Sequence, residues 1–155
     1  MQDNKRLLLL LAGAALLISA KGIGNKFVPP VPGKVTSRFG WRTDPVKGGQ
    51  QFHNGVDLKA NYAPVLAVAA GKVVSVYTDN ELGGLQIRIK HANGYSSGYA
   101  HLSKSLVKRG DMVQKGSVIA ISGNTGKSTA PHLHFTLTNP AGNKVDPELF
   151  IKFHK

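Results

Sequence analysis

Four of the six histidines fall in three short motifs. Imidazole is the side chain best suited to hold a transition metal or to move a proton near neutral pH. His53 begins the stretch His53-Asn54-Gly55-Val56-Asp57, and His101 lies in Tyr99-Ala100-His101-Leu102. His132 and His134 share Ala130-Pro131-His132-Leu133-His134-Phe135. Alternate residues of a strand share a face, so His132 and His134 point the same way, about 6–7 Å apart, and leave Leu133 and Phe135 for the core. On a straight strand His53 and Asp57 would stand about 13 Å apart, too far to share an ion bound about 2 Å from each. Asn54-Gly55 is a strong turn signal, and a bend there brings the two together. A helix would also align residues four apart, but Gly55 and its β-type neighbours argue against one.

Two neutral imidazoles and a carboxylate suit Zn2+, and three protein ligands leave a fourth position for water, the mark of a catalytic site. Cysteine is absent, which excludes disulfides, thiolate ligands and a cysteine nucleophile; any metal is held by His, Asp or Glu. The only glutamates, Glu81 and Glu148, lie outside the metal-like motifs. Proton transfer therefore falls to His101 and to one of the His132/His134 pair. A neutral imidazole beside zinc can take a proton from water or donate a hydrogen bond to a developing oxyanion. His91 and His154 stand apart and read as ordinary hydrogen-bonded side chains.

The elements that must position these groups are strands. Eighteen glycines and eight prolines in 155 residues fall between short Val/Ile-rich runs, the pattern of an all-β protein with tight turns. The best strand runs are 65–70, 72–77, 85–90, 97–102, 117–121 and 132–138. No helix longer than a turn or two is expected after residue 24. The expectation is a single antiparallel β-sheet or sandwich domain over residues 33–150, with 151–155 as a tail. Before it, Lys5 and Arg6 precede the uncharged run Leu7–Ala20, fourteen residues long. That is the length of a secretory signal's apolar core and short of the ~20 residues of a spanning helix. Residues 1–24 thus read as a hydrophobic helix, either a signal peptide or a membrane anchor, and 25–32 as a Pro-rich linker.

A net charge of +12 favours polyanionic surroundings, among them anionic lipid and bacterial wall polymers. The basic residues form no long block and aromatics are only 7% of the chain, so nucleic acid is not an expected partner. Gly126-Lys127-Ser128 resembles the end of a phosphate-binding loop, but Ile121 stands where that loop needs glycine, and Pro131 forbids the helix that should follow. The turns at Ala70-Gly71-Lys72-Val73 and Val113-Gln114-Lys115-Gly116 suggest a lipoyl-type carrier, a reading that leaves the histidines without a role.

Taken in order, the motifs resemble the lysostaphin-type (LytM-type) zinc endopeptidases of the bacterial cell wall. The matching stretches are Ser37-Arg38-Phe39-Gly40-Trp41-Arg42, His53 to Leu58, Gly94, Tyr99 to Ser103, Ser122-Gly123-Asn124-Thr125-Gly126, Pro131 to Phe135 and Val145-Asp146-Pro147. The resemblance implies an antiparallel β-fold with a peptide-binding groove and hydrolysis of peptide bonds in peptidoglycan. It implies His53, Asp57 and His134 as zinc ligands, with His101 and His132 assisting catalysis. Many relatives have lost ligands and act only as regulators of other wall enzymes; here all five positions are filled. The alternative is a non-catalytic wall-binding or virion structural component of the same fold. The implied location is outside the cytoplasm, in the periplasm or cell envelope, with the membrane as a partner if residues 1–24 are retained. A phage lysis or virion-membrane protein fits the same pattern.

Overall fold

The computed structural model describes residues 27–44 and 48–155. Its short β-branched runs, broken by glycine turns, form twelve strands. The first four are β1 (Val35–Ser37), β2 (Gly40–Thr43), β3 (Gln50–His53) and β4 (Val56–Lys59). Next come β5 (Pro64–Leu66), β6 (Gly71–Asp79), β7 (Gly84–His91) and β8 (Ser96–Ser105). The last are β9 (Met112–Val113), β10 (Val118–Ser122), β11 (His132–Thr138) and β12 (Lys144–Val145). A single 3-10 turn, Pro147–Leu149, follows, with the Asp146 side chain accepting from the Glu148 backbone N–H.

The large sheet is antiparallel and runs in the order β1-β4-β11-β8-β7-β6-β9, with β12 added to β11 and β10 joined to β8 and β5. Among the described residues β2 and β3 pair only with each other. This hairpin carries an aromatic cluster: Phe52 meets Trp41 and Phe39 edge-on, with centroids 5.4 and 5.1 Å apart. Trp41 is largely exposed.

The period-two pattern expected of half-buried strands is plain in β11 and β7. Leu133, Phe135 and Leu137 are fully buried, as are Ile87 and Ile89 on β7. The residues between them, among them His132, His134 and Arg88, turn to the opposite face. One face of the sheet is thus the core, built also from Val56, Leu58, Tyr99, Leu102 and Ile119. The other is left for chemistry.

Two expectations need amendment. The run 65–70 is a strand only to Leu66; beyond it the Ala67 N–H bonds to Ser117 O and the Val68 carbonyl accepts from Val28, so the backbone is satisfied outside any ladder. The folded body also reaches past 33–150. Phe27 and Val31, from the stretch read as linker, and Ile151, from the stretch read as tail, are buried in the core because each adds an apolar side chain to it. The hydrophobic helix expected in residues 1–24 lies outside the described residues. Among the described residues no helix is long and apolar enough to cross a membrane.

His91 is a buried structural histidine, 4% exposed. Its Nδ1–H donates to the Ala70 carbonyl at 2.9 Å, and its Nε2 lies 2.9 Å from Ser97 Oγ. Ser97 Oγ in turn lies 2.9 Å from the Tyr99 hydroxyl, which accepts from the Val68 N–H. Burial pushes the Tyr99 hydroxyl up to about 12, keeping it protonated. Burial also lowers the His91 pKa, outweighing the opposite pull of the Ala70 carbonyl. Between the folded and unfolded pKa values the unfolded chain binds more protons, so this contribution is complete above pH 6.5 and is lost as pH falls below it. The thermal midpoint should therefore drop more steeply between pH 7 and 5 in the parent than in His91→Gln. Parallel melting curves with equal acid slopes would remove this role.

Candidate metal centre

Three donors converge where β3, β4 and β11 meet. His53 ends β3 and Asp57 lies on β4, with the Asn54-Gly55 bend between them. The bend brings His53 Nε2 within 3.2 Å of Asp57 Oδ1, where a straight strand would hold them far apart. Gly55 permits it: a Cβ there would sit 2.3 Å from the Phe135 carbonyl oxygen, so only glycine lets this corner lie against β11. On β11, His134 faces Asp57 directly in register. Its Nδ1 is 2.8 Å from Asp57 Oδ1 and 3.1 Å from His53 Nε2.

The outer nitrogen of each ring is held by an oxygen acceptor. His53 Nδ1 donates to the Arg38 carbonyl at 2.8 Å, and His134 Nε2 to Asn54 Oδ1 at 3.1 Å. A carbonyl oxygen only accepts, so each neutral ring keeps its proton on the outside and turns a lone pair inward. Two lone pairs and a carboxylate oxygen then face one another at contact distance, an arrangement that demands a cation or additional protons between them. Tetrahedral zinc with bonds of about 2.0–2.1 Å sets its donors about 3.3 Å apart, close to the spacing observed. The donor set, its separation and its capped outer nitrogens fit zinc.

Where protons rather than a cation fill that gap, burial by itself would raise the Asp57 pKa, but hydrogen bonds from His134 and His53, and then their charge, hold its carboxyl well below the usual carboxylate range. Arg42 adds a more distant cation, Nη1 lying 3.8 Å from Asp57 Oδ2. The same guanidinium bonds to Ser37 Oγ.

His101 and His132 stand beside this trio. His132 Nε2 is 3.7 Å from Asp57 Oδ1, and its ring centroid is 4.6 Å from that of His101. His132 Nδ1 donates to the Ala130 carbonyl at 2.9 Å, and His101 Nδ1 to the Thr125 carbonyl at 2.8 Å. Both rings therefore keep Nε2 as the free basic atom. His101 occupies a kink: its φ is 60°, in the left-handed region uncommon for a non-glycine residue, and its N–H leaves the ladder for the Gly83 carbonyl at 2.7 Å. Around it β8 changes partner, from β11 through Ala100 to β10 from Leu102. Such a bulge re-aims one side chain, here toward the metal donors. Burial is the main cause of a lowered His101 pKa, so the ring is neutral at neutral pH.

The structure thus brings all five expected residues together. It adds supports the sequence did not expose. Asn54, expected only as a turn residue, caps His134, and the Arg38 backbone caps His53. Thr125 anchors His101, and its own hydroxyl donates to Leu102 O at 2.6 Å and accepts from the Leu85 N–H. The resemblance flagged the stretch containing Thr125, but no spacing rule connects it with a histidine twenty-four residues earlier.

Residues 51–147 match peptidase family M23. The chain is 44% identical over 112 residues to lysostaphin of Staphylococcus simulans, covering 69% of this chain and 22% of that one. Against the peptidoglycan DD-endopeptidase ShyB of Vibrio cholerae it is 41% identical over 104 residues, 66% of this chain and 24% of that one. It therefore spans about a quarter or less of these curated relatives. The crystal structure of the catalytic domain of lysostaphin aligns with a TM-score of 0.68 at 39% identity, over 76% of this chain and 91% of that domain. A zinc-containing peptidase from Vibrio cholerae aligns with a TM-score of 0.70 at 36% identity, over 79% and 39%. With the family matched across most of the β-domain and two solved relatives sharing its fold, the chain belongs to peptidase family M23.

Proposed function

We propose that this chain is a zinc-dependent endopeptidase that hydrolyses peptide bonds of peptidoglycan, in stem peptides or cross-bridges, outside the cytoplasm. The observation that carries this reading is the inward convergence of His53 Nε2, Asp57 Oδ1 and His134 Nδ1 with both outer ring nitrogens capped. The peptidoglycan activity named for ShyB supports the substrate class.

His53, Asp57 and His134 would hold the ion. When bound, zinc supplies Lewis acidity toward the scissile carbonyl and toward water. The chain's own part is proton handling. His101 and His132 each offer an Nε2 on the same side of the donor trio, and each ring is oriented by a backbone carbonyl at Nδ1. One accepts the proton of the attacking water at Nε2. Now protonated there, it passes that proton to the departing amine, while the other, when it has taken a proton from solvent at Nε2, donates a hydrogen bond to the developing oxyanion.

The test is incubation of the full chain with purified peptidoglycan, with and without a chelator, and mass analysis of the released fragments. Peptide-bond cleavage that disappears with the chelator and returns with zinc is the expected result. Intact peptidoglycan at saturating zinc would exclude the hydrolase reading and leave a wall-binding component. Charge bears on delivery: with +12 overall, association with isolated wall should weaken as salt rises, whereas cleavage of a small neutral peptide should change much less. Equal salt sensitivity for wall and peptide would remove the steering argument.

A further inference from the structure

A cavity of about 230 Å³ opens on the sheet face beside the metal centre, with Asn54 and His134 at one end. Its floor is β8, where the small residues Gly98 and Ala100 leave room between the neighbouring strands. Gly98 is paired on one side with Arg88 of β7 and on the other with Thr136 of β11. A Cβ at Gly98 would come 2.5 Å from Thr136 Oγ1, so the trough depends on glycine here.

The end away from His134 is cationic. Lys144, on β12, donates from Nζ to Thr136 Oγ1 at 3.3 Å and to Thr138 Oγ1 at 3.0 Å. Arg88 lines the same cavity. Among the described residues neither cation forms a salt bridge, whereas Arg38, Arg42 and Lys108 each do. Burial, and after it the charge of Arg88, lowers the Lys144 pKa, so the two cations already oppose one another. Two like charges beside a trough, with no salt-bridged anion of the protein's own among the described residues, form a receptor for an anion.

We infer that Arg88 and Lys144 form a subsite for a carboxylate carried by the substrate peptide close to the bond that is cut. The inference rests on the hydrolase reading above and sharpens it. Thr136 is two residues along β11 from His134, a step of about 7 Å, which is two residues of an extended peptide lying in the trough. The carboxylate therefore belongs within about two residues of the scissile bond. Stem peptides with free carboxyl groups meet that requirement, and an oligoglycine bridge lacks it in its interior.

The experiment compares a synthetic cross-linked stem-peptide dimer with free carboxylates against the same dimer with those groups converted to carboxamides. The zinc-loaded full chain is used throughout. The acid form should be cleaved with kcat/KM at least about 10-fold above the amide, the scale of a charge-assisted contact. In Arg88→Gln with Lys144→Met that ratio should fall toward one. Lys115→Gln, which removes an exposed cation elsewhere, should keep it. Equal rates for acid and amide in the parent, or a ratio that survives the double substitution, overturns the subsite. Calorimetric titration with both dimers separates this idea from the hydrolase reading. Tighter binding of the acid dimer, lost in the double variant, upholds the subsite even if neither dimer is cleaved. Equal affinities overturn it.

Discussion

Asp57→Ala should lose metal and turnover together, with zinc content near zero by elemental analysis and hydrolysis at background. Asp57 is the node of the centre: His53, His132 and His134 all approach Oδ1, at 3.2, 3.7 and 2.8 Å, while Arg42 lies toward Oδ2. Removing the carboxylate deletes one of the three proposed ligands and leaves the rings with no negative charge to offset a divalent cation. His53→Ala and His134→Ala should follow the same course for the first of these reasons. His134 is assigned as a ligand because its Nδ1 is the nitrogen of the β11 pair that touches both other donors. Should His132→Ala shed zinc while His134→Ala keeps it, the roles of the two are exchanged.

The second large effect separates chemistry from metal binding. His101→Ala and His132→Ala should keep zinc near parent levels while kcat falls by about 100-fold or more, the usual weight of a positioned acid–base group or oxyanion donor. Neither ring belongs to the close donor trio, and each is held by a carbonyl outside it, Thr125 for one and Ala130 for the other. Measuring metal content beside kcat for all five variants gives the decision directly. A full kcat in both His101→Ala and His132→Ala would show that proton transfer runs through other groups.

How much of this was legible beforehand depends on the range of the interaction. The strand period of two separated His132 and His134 from Leu133 and Phe135, because alternation is a local property of the backbone. The Asn54-Gly55 bend was legible for the same reason, since turn preference belongs to those two residues. The aim of His101 was not. It depends on a left-handed residue at a bulge where β8 exchanges partners, and neither event leaves a periodic trace. The caps were equally hidden. The carbonyls of Arg38 and Thr125 carry no side-chain signature, so their partners appear only once the chain is folded. β1 to β4, at three or four residues each, are too short for periodicity to announce singly. At the domain's edges, Phe27 and Ile151 were set aside with the Pro-rich and terminal stretches around them, yet their apolar side chains are drawn into the core.

The small hairpin carries its own optical reporter. Trp41 is the sole tryptophan of the chain, paired in register with Phe52, the residue immediately before His53. The donor trio therefore joins the end of this hairpin to two strands of the large sheet, although among the described residues no backbone ladder does so. An ion seated there would act as a rivet between them, and the indole would register its arrival without any label. Titrating zinc into chelator-treated protein should shift or quench the native emission, saturating at one equivalent per chain. An unchanged spectrum across a titration that calorimetry shows to be complete would mean that the hairpin is already held rigidly by its aromatic packing alone.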